Sequence, residues 1–159
     1  MATALYPGSF DPVTYGHLDV VRRGVALFER VVVAVGQRHE KQTIFDVDER
    51  VRLFREAMAG MERVEVESFE GLVVDFARKT GASVLLRGLR TMSDFEYEFQ
   101  MAQTNRHLAP EIDSVFVTPS PQHSFLSSSL IKEVAQAGGA VEEFVPPHVA
   151  AALREKLAG

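Results

Sequence analysis

The chain has 159 residues, a formal net charge of −5 and no cysteine, with 46% apolar and 25% charged residues. These values fit one globular domain with a real core and exclude a disulfide framework or a thiolate zinc site. The acidic balance argues against a general nucleic-acid binder, whose footprint is a basic face; an anionic small substrate needs only a few cations and helix N-termini that converge.

Short β-rich runs alternate with helical periodicity along the whole chain. The runs at 3–6 (TALY), 30–36 (RVVVAVG), 63–68 (RVEVES), 83–88 (SVLLRG) and 113–118 (DSVFVT) predict five strands. VVVAV and SVLL carry no polar alternation, as expected of parallel strands covered on both faces. Helices are predicted over 18–28, 46–58, 72–81, 93–108, 128–139 and 146–157. Asp46 with Glu49, and Ser93 with Glu96, stand at capping-box spacing. Gly81 and the Gly138–Gly139 pair end two helices, and Pro146–Pro147 open the last. The expectation is an α/β fold: one doubly wound, Rossmann-like domain over 1–159 with a five-stranded parallel sheet. No repeat or Pro/Ser-rich linker suggests a boundary. No apolar run approaches the ~18 residues of a membrane span, and MATALYPGSF lacks the features of a signal peptide, so a cytoplasmic location without membrane contact is expected.

Ligands of such sheets sit beyond the carboxyl ends of the strands, so the loops there matter most. The first, PGSFDPVTYGH, places His17 directly after Gly16 at a helix start, where an imidazole can donate to a phosphate oxygen. An incidental surface histidine is the plain alternative, and the loop is neither a GxGxxG nor a Walker A sequence. The second loop carries Arg38, His39 and Lys41, most simply a solvated charged loop. At the third, Leu72 and Val73 read as core-facing helix residues. The fourth, LLRGLRTMSDFEYE, sets Arg87 and Arg90 around Gly88 at a strand end, which suits bidentate phosphate recognition. Arg90 could instead pair with Asp94 or Glu98, and Arg87, closing an apolar strand, needs an anionic partner or a ligand. In the fifth, QHSFLSSSLIKE, three serines (Ser127, Ser128, Ser129) open a helix with Lys132 one turn in, more than a single N-cap requires. The histidines are scattered without zinc spacing, so no protein metal site is expected, and any Mg²⁺ would arrive on phosphates.

Taken together, TYGH after the first strand and LSSSLIK before a late helix resemble the paired signatures of the HxGH-type nucleotidyltransferases. The fuller set YPGSFDPVTYGH, RGLRTMSDFEYEFQMAQTNRHL and SFLSSSLIKEVA resembles the bacterial phosphopantetheine adenylyltransferases nearly end to end. That resemblance implies transfer of AMP from ATP to 4′-phosphopantetheine, giving dephospho-coenzyme A and pyrophosphate, with Mg²⁺, in a cytoplasmic homohexamer. Dephospho-coenzyme A and coenzyme A are then product and candidate inhibitor. By position it implies that His17 stabilises the transition state, with Lys41 and Arg90 also catalytic. Ser9, Lys41, Val73 and Arg87 would contact the acceptor. Ser9, Phe10, His17, Gly88, Leu89, Arg90, Glu98, Lys132 and the run His123, Ser124, Phe125, Leu126, Ser127, Ser128, Ser129 would contact ATP. The sequence departs from the family pattern in three places: Ser9 stands for a frequent threonine, Tyr15 for a frequent asparagine, and His123 for a larger aromatic.

The reaction suits the inventory. An acceptor phosphate is already ionised near neutral pH (second pKa ~6), and pyrophosphate leaves as an anion. Neither a carboxylate dyad nor a nucleophilic triad is needed, only alignment and charge neutralisation. Two other readings stand beside it: a sister nucleotidyltransferase using nicotinate mononucleotide or glycerol 3-phosphate, and a non-catalytic nucleotide-binding module. The helix 93–108, with Phe95, Phe99, Met101 and Ala102, could bury an apolar face against its own core or a neighbouring subunit.

Overall fold

The computed structural model describes residues 2–37 and 42–158. Five strands, β1 (Thr3–Gly8), β2 (Arg30–Gly36), β3 (Val64–Phe69), β4 (Val84–Gly88) and β5 (Asp113–Val117), form one parallel sheet in the order β3-β2-β1-β4-β5. Among the described residues six α-helices connect and cover them: α1 (Tyr15–Leu27), α2 (Val47–Ala57), α3 (Val73–Thr80), α4 (Met92–Leu108), α5 (Ser128–Gln136) and α6 (Pro147–Ala158). The doubly wound parallel sheet expected from the strand–helix alternation is therefore present.

Alternation along the strands divides the core. Ala4, Tyr6, Val31, Val33, Val35 and Leu86 face a layer built from α1, α2, α5 and α6, while Leu5, Val32, Ala34 and Leu85 face α3 and the end of α4. Both faces are covered, which is why VVVAV reads as an unbroken apolar run. The chain winds outward from β1 to β3, then crosses over to β4 on the other side of β1. The strand order thus reverses between β1 and β4, and a crevice opens where their carboxyl ends diverge. Gly88 stands at that point; a Cβ there would lie 2.8 Å from Cγ2 of Val20, so α1 packs against the end of β4 only because the side chain is missing.

Helix ends follow local chemistry, with some differences from the sequence expectation. Asp46 and Glu49 form the expected reciprocal box, and Gly81 caps α3 at φ 76°. Helix α1 starts three residues earlier than its apolar spacing suggests, because Thr14 caps it. The cap of α4 is Thr91, whose hydroxyl accepts from the Asp94 N–H, so the helix opens before the expected start at 93. Helix α5 ends at Gln136, before the glycine pair. Leu72 is 53% exposed at the N-cap of α3, so only the helix proper carries core residues there.

Of the two places expected for the apolar face of α4, this chain's own core is not the one that its rings occupy. Phe95, Tyr97, Phe99 and Met101 are exposed, and Phe95 stacks on Phe99 with ring centroids 5.8 Å apart. The inward face is instead Glu98, Ala102, Asn105 and, beyond its end, Ala109, at helical spacing. A face carrying a carboxylate and an amide cannot fill an apolar core. It walls a cavity. No helix among the described residues is long and apolar enough to cross a membrane.

Candidate active site

Among the described residues, a cavity of about 260 Å³ and another of about 250 Å³ open at the carboxyl edge of the sheet. Gly8, Ser9 and Arg87 line both, so the two spaces meet at the ends of β1 and β4. The first extends between the sheet and α4, past Phe69, Val73, Tyr97, Glu98 and Asn105. The second lies over the starts of α1 and α5, lined by Phe10, His17, Gly88, Arg90, His123 and Ser127–Ser129 among others.

His17 occupies the third position of α1 and completes a capping box in which a histidine takes the place usual for Glu or Gln. Its backbone N–H donates to the Thr14 hydroxyl at 3.2 Å, and the Thr14 N–H donates to its Nδ1 at 3.0 Å. Burial, followed by the charges of Arg90 and Arg87, pulls its pKa from 6.5 down to about 3. The ring is therefore neutral near pH 7, and with Nδ1 accepting, its proton resides on Nε2. A neutral donor with a fixed tautomer results.

Phe10 supports that ring from behind. It is buried at φ 50°, an uncommon conformation for a bulky residue, and stacks edgewise on His17, Phe54 and Tyr6 with centroids 4.9, 4.9 and 5.1 Å away. Aromatic packing on three sides offsets the local strain.

The two arginines behave differently. Arg87 forks onto Glu98, with Nε–Oε1 at 2.7 Å and Nη2–Oε2 at 3.0 Å, and also donates to the Pro7 carbonyl. Glu98 is 7% exposed, so the buried anionic partner that Arg87 requires is a residue of this chain. Burial opposes the charge on Arg87, but the Glu98 carboxylate more than offsets it and raises its pKa. Arg90 pairs with Asp94 at 3.0 Å, the ordinary i,i+4 pairing, and also donates to the Leu126 carbonyl. It thereby fastens the turn before α4 to the segment before α5 and keeps both at the second cavity.

At the start of α5, Ser127 caps the helix through the Leu130 N–H, and the Ser128 hydroxyl donates to the Pro12 carbonyl at 2.8 Å. Lys132 reaches the Asp11 carboxylate at 3.2 Å. His123 ends a short 3₁₀ turn (Pro121–His123), stacks on Tyr15 at 5.9 Å and has Asp19 at 3.9 Å. Two of the three departures from the family pattern thus touch each other, the ring of Tyr15 lying against the smaller ring of His123.

Not every expected residue joins its assigned group. Ser9, Phe10, His17, Gly88, Arg90, His123 and Leu126–Ser129 share the second cavity. Glu98, expected beside ATP, lines the first cavity with Val73 and Arg87. Leu89, Ser124, Phe125 and Lys132 stand outside the lining of either; Leu89 donates its N–H to Val117, and Phe125 packs on Phe144. Lys41 lies outside the described residues, as do Arg38 and His39. Sequence reading missed Asn105 and Tyr97, although Asn105 follows Glu98 by seven residues and so shares its helix face. It also missed Asp11, which stands inside the PGSFDPVTYGH loop but is given no role there, and Arg50, for which no short motif speaks; both are buried.

Residues 5–134 match the cytidylyltransferase-like family. The phosphopantetheine adenylyltransferase of Thiobacillus denitrificans is 55% identical over 99% of this chain and 98% of its own. Those of Methylococcus capsulatus and Gloeobacter violaceus are 55% and 56% identical, with 99% and 98% of this chain and 97% of each relative covered. The chain belongs to the phosphopantetheine adenylyltransferase family. The resemblance read from the TYGH and LSSSLIK motifs is thereby borne out across the chain. The fold is also that of a bifunctional NMN adenylyltransferase/ADP ribose pyrophosphatase from Francisella tularensis (TM-score 0.76, 14% identity). All of this chain aligns to that structure but spans only 51% of its length. For phosphopantetheine adenylyltransferases a site made of two joined cavities has a direct chemical meaning, because two substrates must meet.

Proposed function

We propose that this chain joins ATP and 4′-phosphopantetheine, the nucleotide in the second cavity and the acceptor in the first, and releases dephospho-coenzyme A and pyrophosphate. The observation that carries the reading is the meeting of the two cavities at Gly8, Ser9 and Arg87 beside a neutral His17. The first cavity combines apolar walls with Tyr97, Asn105 and Ser114, which suits a long chain interrupted by amides. The second is rich in donors, which suits a polyanion.

In the proposed reaction an acceptor phosphate oxygen attacks the α-phosphorus. A new P–O bond forms as the bond to the β-phosphate oxygen breaks, and pyrophosphate departs with the electron pair. His17 Nε2–H donates to the α-phosphate oxygen as charge builds there. Arg87 holds the acceptor phosphate, and Arg90, the serines at α5 and Lys132 receive the leaving group. Lys41 is proposed to screen the approach of the two anions. Alignment supplies the remainder.

Mg²⁺ enters this proposal as part of the Mg·ATP substrate. Among the described residues no three His, Cys, Asp or Glu side chains gather where they could hold a metal ion, and the polar lining beside His17 includes the Arg87 and Arg90 guanidiniums, which suit phosphate oxygens. A cytoplasmic homohexamer is also proposed. The exposed aromatic face of α4 supports assembly, since a monomer seldom leaves such a surface bare.

The test is pyrophosphate release from ATP with each acceptor in turn. Release with 4′-phosphopantetheine, and not with nicotinate mononucleotide or glycerol 3-phosphate, is the expected result. Preference for either alternative acceptor would overturn it, and no release with any acceptor would indicate a binding module.

A further inference from the structure

Asp11 has no role in the reaction described above, yet its carboxylate is among the most heavily used polar groups in the fold. It is 2% exposed. Oδ1 accepts from the Phe45 N–H at 3.0 Å, and Oδ2 accepts from the Ile44 N–H at 2.9 Å and from Lys132 Nζ at 3.2 Å. Arg50, also buried, ties the same ground together. Its Nε donates to the Phe45 carbonyl at 3.1 Å, and Nη1 donates to the carbonyls of Ser9 and Gly36 at 2.8 and 2.9 Å.

The backbone around Asp11 is thus fixed from two directions, and its carboxylate is a rigid acceptor. Lys132 is not rigid by itself, since a lysine carries four rotatable bonds and a compact charge free to sweep a wide arc. Seated on Asp11, its side chain is only 20% exposed and stands one helical turn from Ser128, which lines the second cavity. An ammonium has three donors; Asp11 takes one and leaves two for an anion.

We infer that Asp11 is a positioning residue for the nucleotide: it pre-orients Lys132 beside the start of α5, so that the lysine meets the leaving phosphates without first being ordered. This rests on the reading that places ATP in the second cavity. Orienting a donor beforehand removes a cost otherwise met at binding or in the transition state. The effect of Asp11 on ATP should therefore pass through Lys132 and vanish when Lys132 is absent.

A double-mutant cycle tests this. Asp11→Asn, Lys132→Met and the double variant are compared by steady-state kinetics, varying ATP and 4′-phosphopantetheine separately, with thermal melts recorded alongside. Asp11→Asn is expected to lower kcat/KM for ATP about 10–100-fold while KM for the acceptor stays within about threefold. In the Lys132→Met background the same change should alter kcat/KM for ATP by less than about threefold. Effects that multiply, or equal rises in both KM values, would mean general loosening and would overturn the inference. If Lys132→Met leaves ATP kinetics intact, the reading of Lys132 fails and the inference with it. If Lys132→Met is impaired and Asp11→Asn is not, only the inference fails. Should Asp11→Asn not fold, Asp11→Glu, which keeps the charge and displaces it by one methylene, is run in the same cycle under the same criteria.

Discussion

The Thr14 N–H donates to His17 Nδ1 at 3.0 Å, so the helix cap and the reactive imidazole are one device. The bond that ends one backbone donor's search for a partner also assigns the ring's proton to Nε2. Capping and catalysis separate in a suitable variant. His17→Asn keeps an acceptor near Thr14 but has no donor where Nε2 stood. We expect a fold and an ATP affinity close to wild type with kcat lower by about 10²–10³, the usual effect of removing one donor aimed at developing charge. Single-turnover kinetics together with calorimetric ATP titration check it. Turnover within about fivefold of wild type would remove His17 from the reaction.

The same burial has a consequence for acid stability. Folded His17 takes up a proton only near pH 3, whereas in the unfolded chain it does so near its ordinary value of 6.5. Between those values the unfolded state binds more protons, so stability falls as pH falls through that window. Above pH 6.5 the group contributes no pH dependence. His17→Asn removes this liability, so its unfolding free energy relative to wild type should improve steadily from pH 6.5 toward pH 3. Urea unfolding at four or five pH values measures it; a difference independent of pH would contradict the depressed titration.

What the sequence makes legible follows from how local each cause is. The unbroken apolar runs at Val31–Val33 and Val84–Leu86 announce buried strands because their pattern depends only on which faces are covered. His17 and Ser127–Ser129 are legible because a loop and a helix start concentrate them within a few residues. Arg50 is not: between Glu49 and Val51 on α2 it reads as a solvent-facing charge, and only the carbonyls of nearby Phe45 and of the more distant Ser9 and Gly36 explain its burial. Glu98 belongs to the same class. Its place in the first cavity depends on the crossing of α4 over β4 and β5, which no local pattern encodes. The exposed rings of Phe95 and Phe99 are legible only in part, because spacing reveals that a face is apolar and not what covers it.

Arg87 and Glu98 set a balance between stability and acceptor binding. An anionic acceptor must share Arg87 with a carboxylate that already holds two of its nitrogens. Glu98→Gln removes the competing charge but keeps a similar shape. We expect a loss of about 1–3 kcal/mol in stability, below the usual value for breaking a fully buried pair because Arg87 is partly exposed. The acceptor KM should fall several-fold, and Arg87→Met should raise it. An acceptor KM that rises in Glu98→Gln would show that Glu98 orients Arg87 rather than competing for it.

Gly88 carries the last prediction. It closes β4 at the reversal of strand order, and a methyl group there would lie 2.8 Å from Val20 Cγ2 in α1. Val20 is 3% exposed and cannot swing into solvent without opening the core. Gly88→Ala must therefore push α1 away from the sheet, and α1 carries His17 three residues earlier. We expect a destabilisation of about 1–3 kcal/mol, typical of overpacking, and a fall in kcat larger than stability alone would cause. Val20→Ala in the same chain makes room for the new methyl group. If displacement of α1 is the cause, the pair should recover most of the lost kcat even though Val20→Ala alone costs stability. Failure to recover turnover in a folded double variant would mean that Gly88 serves the site directly, through backbone approach to the bound nucleotide rather than through the seat of α1.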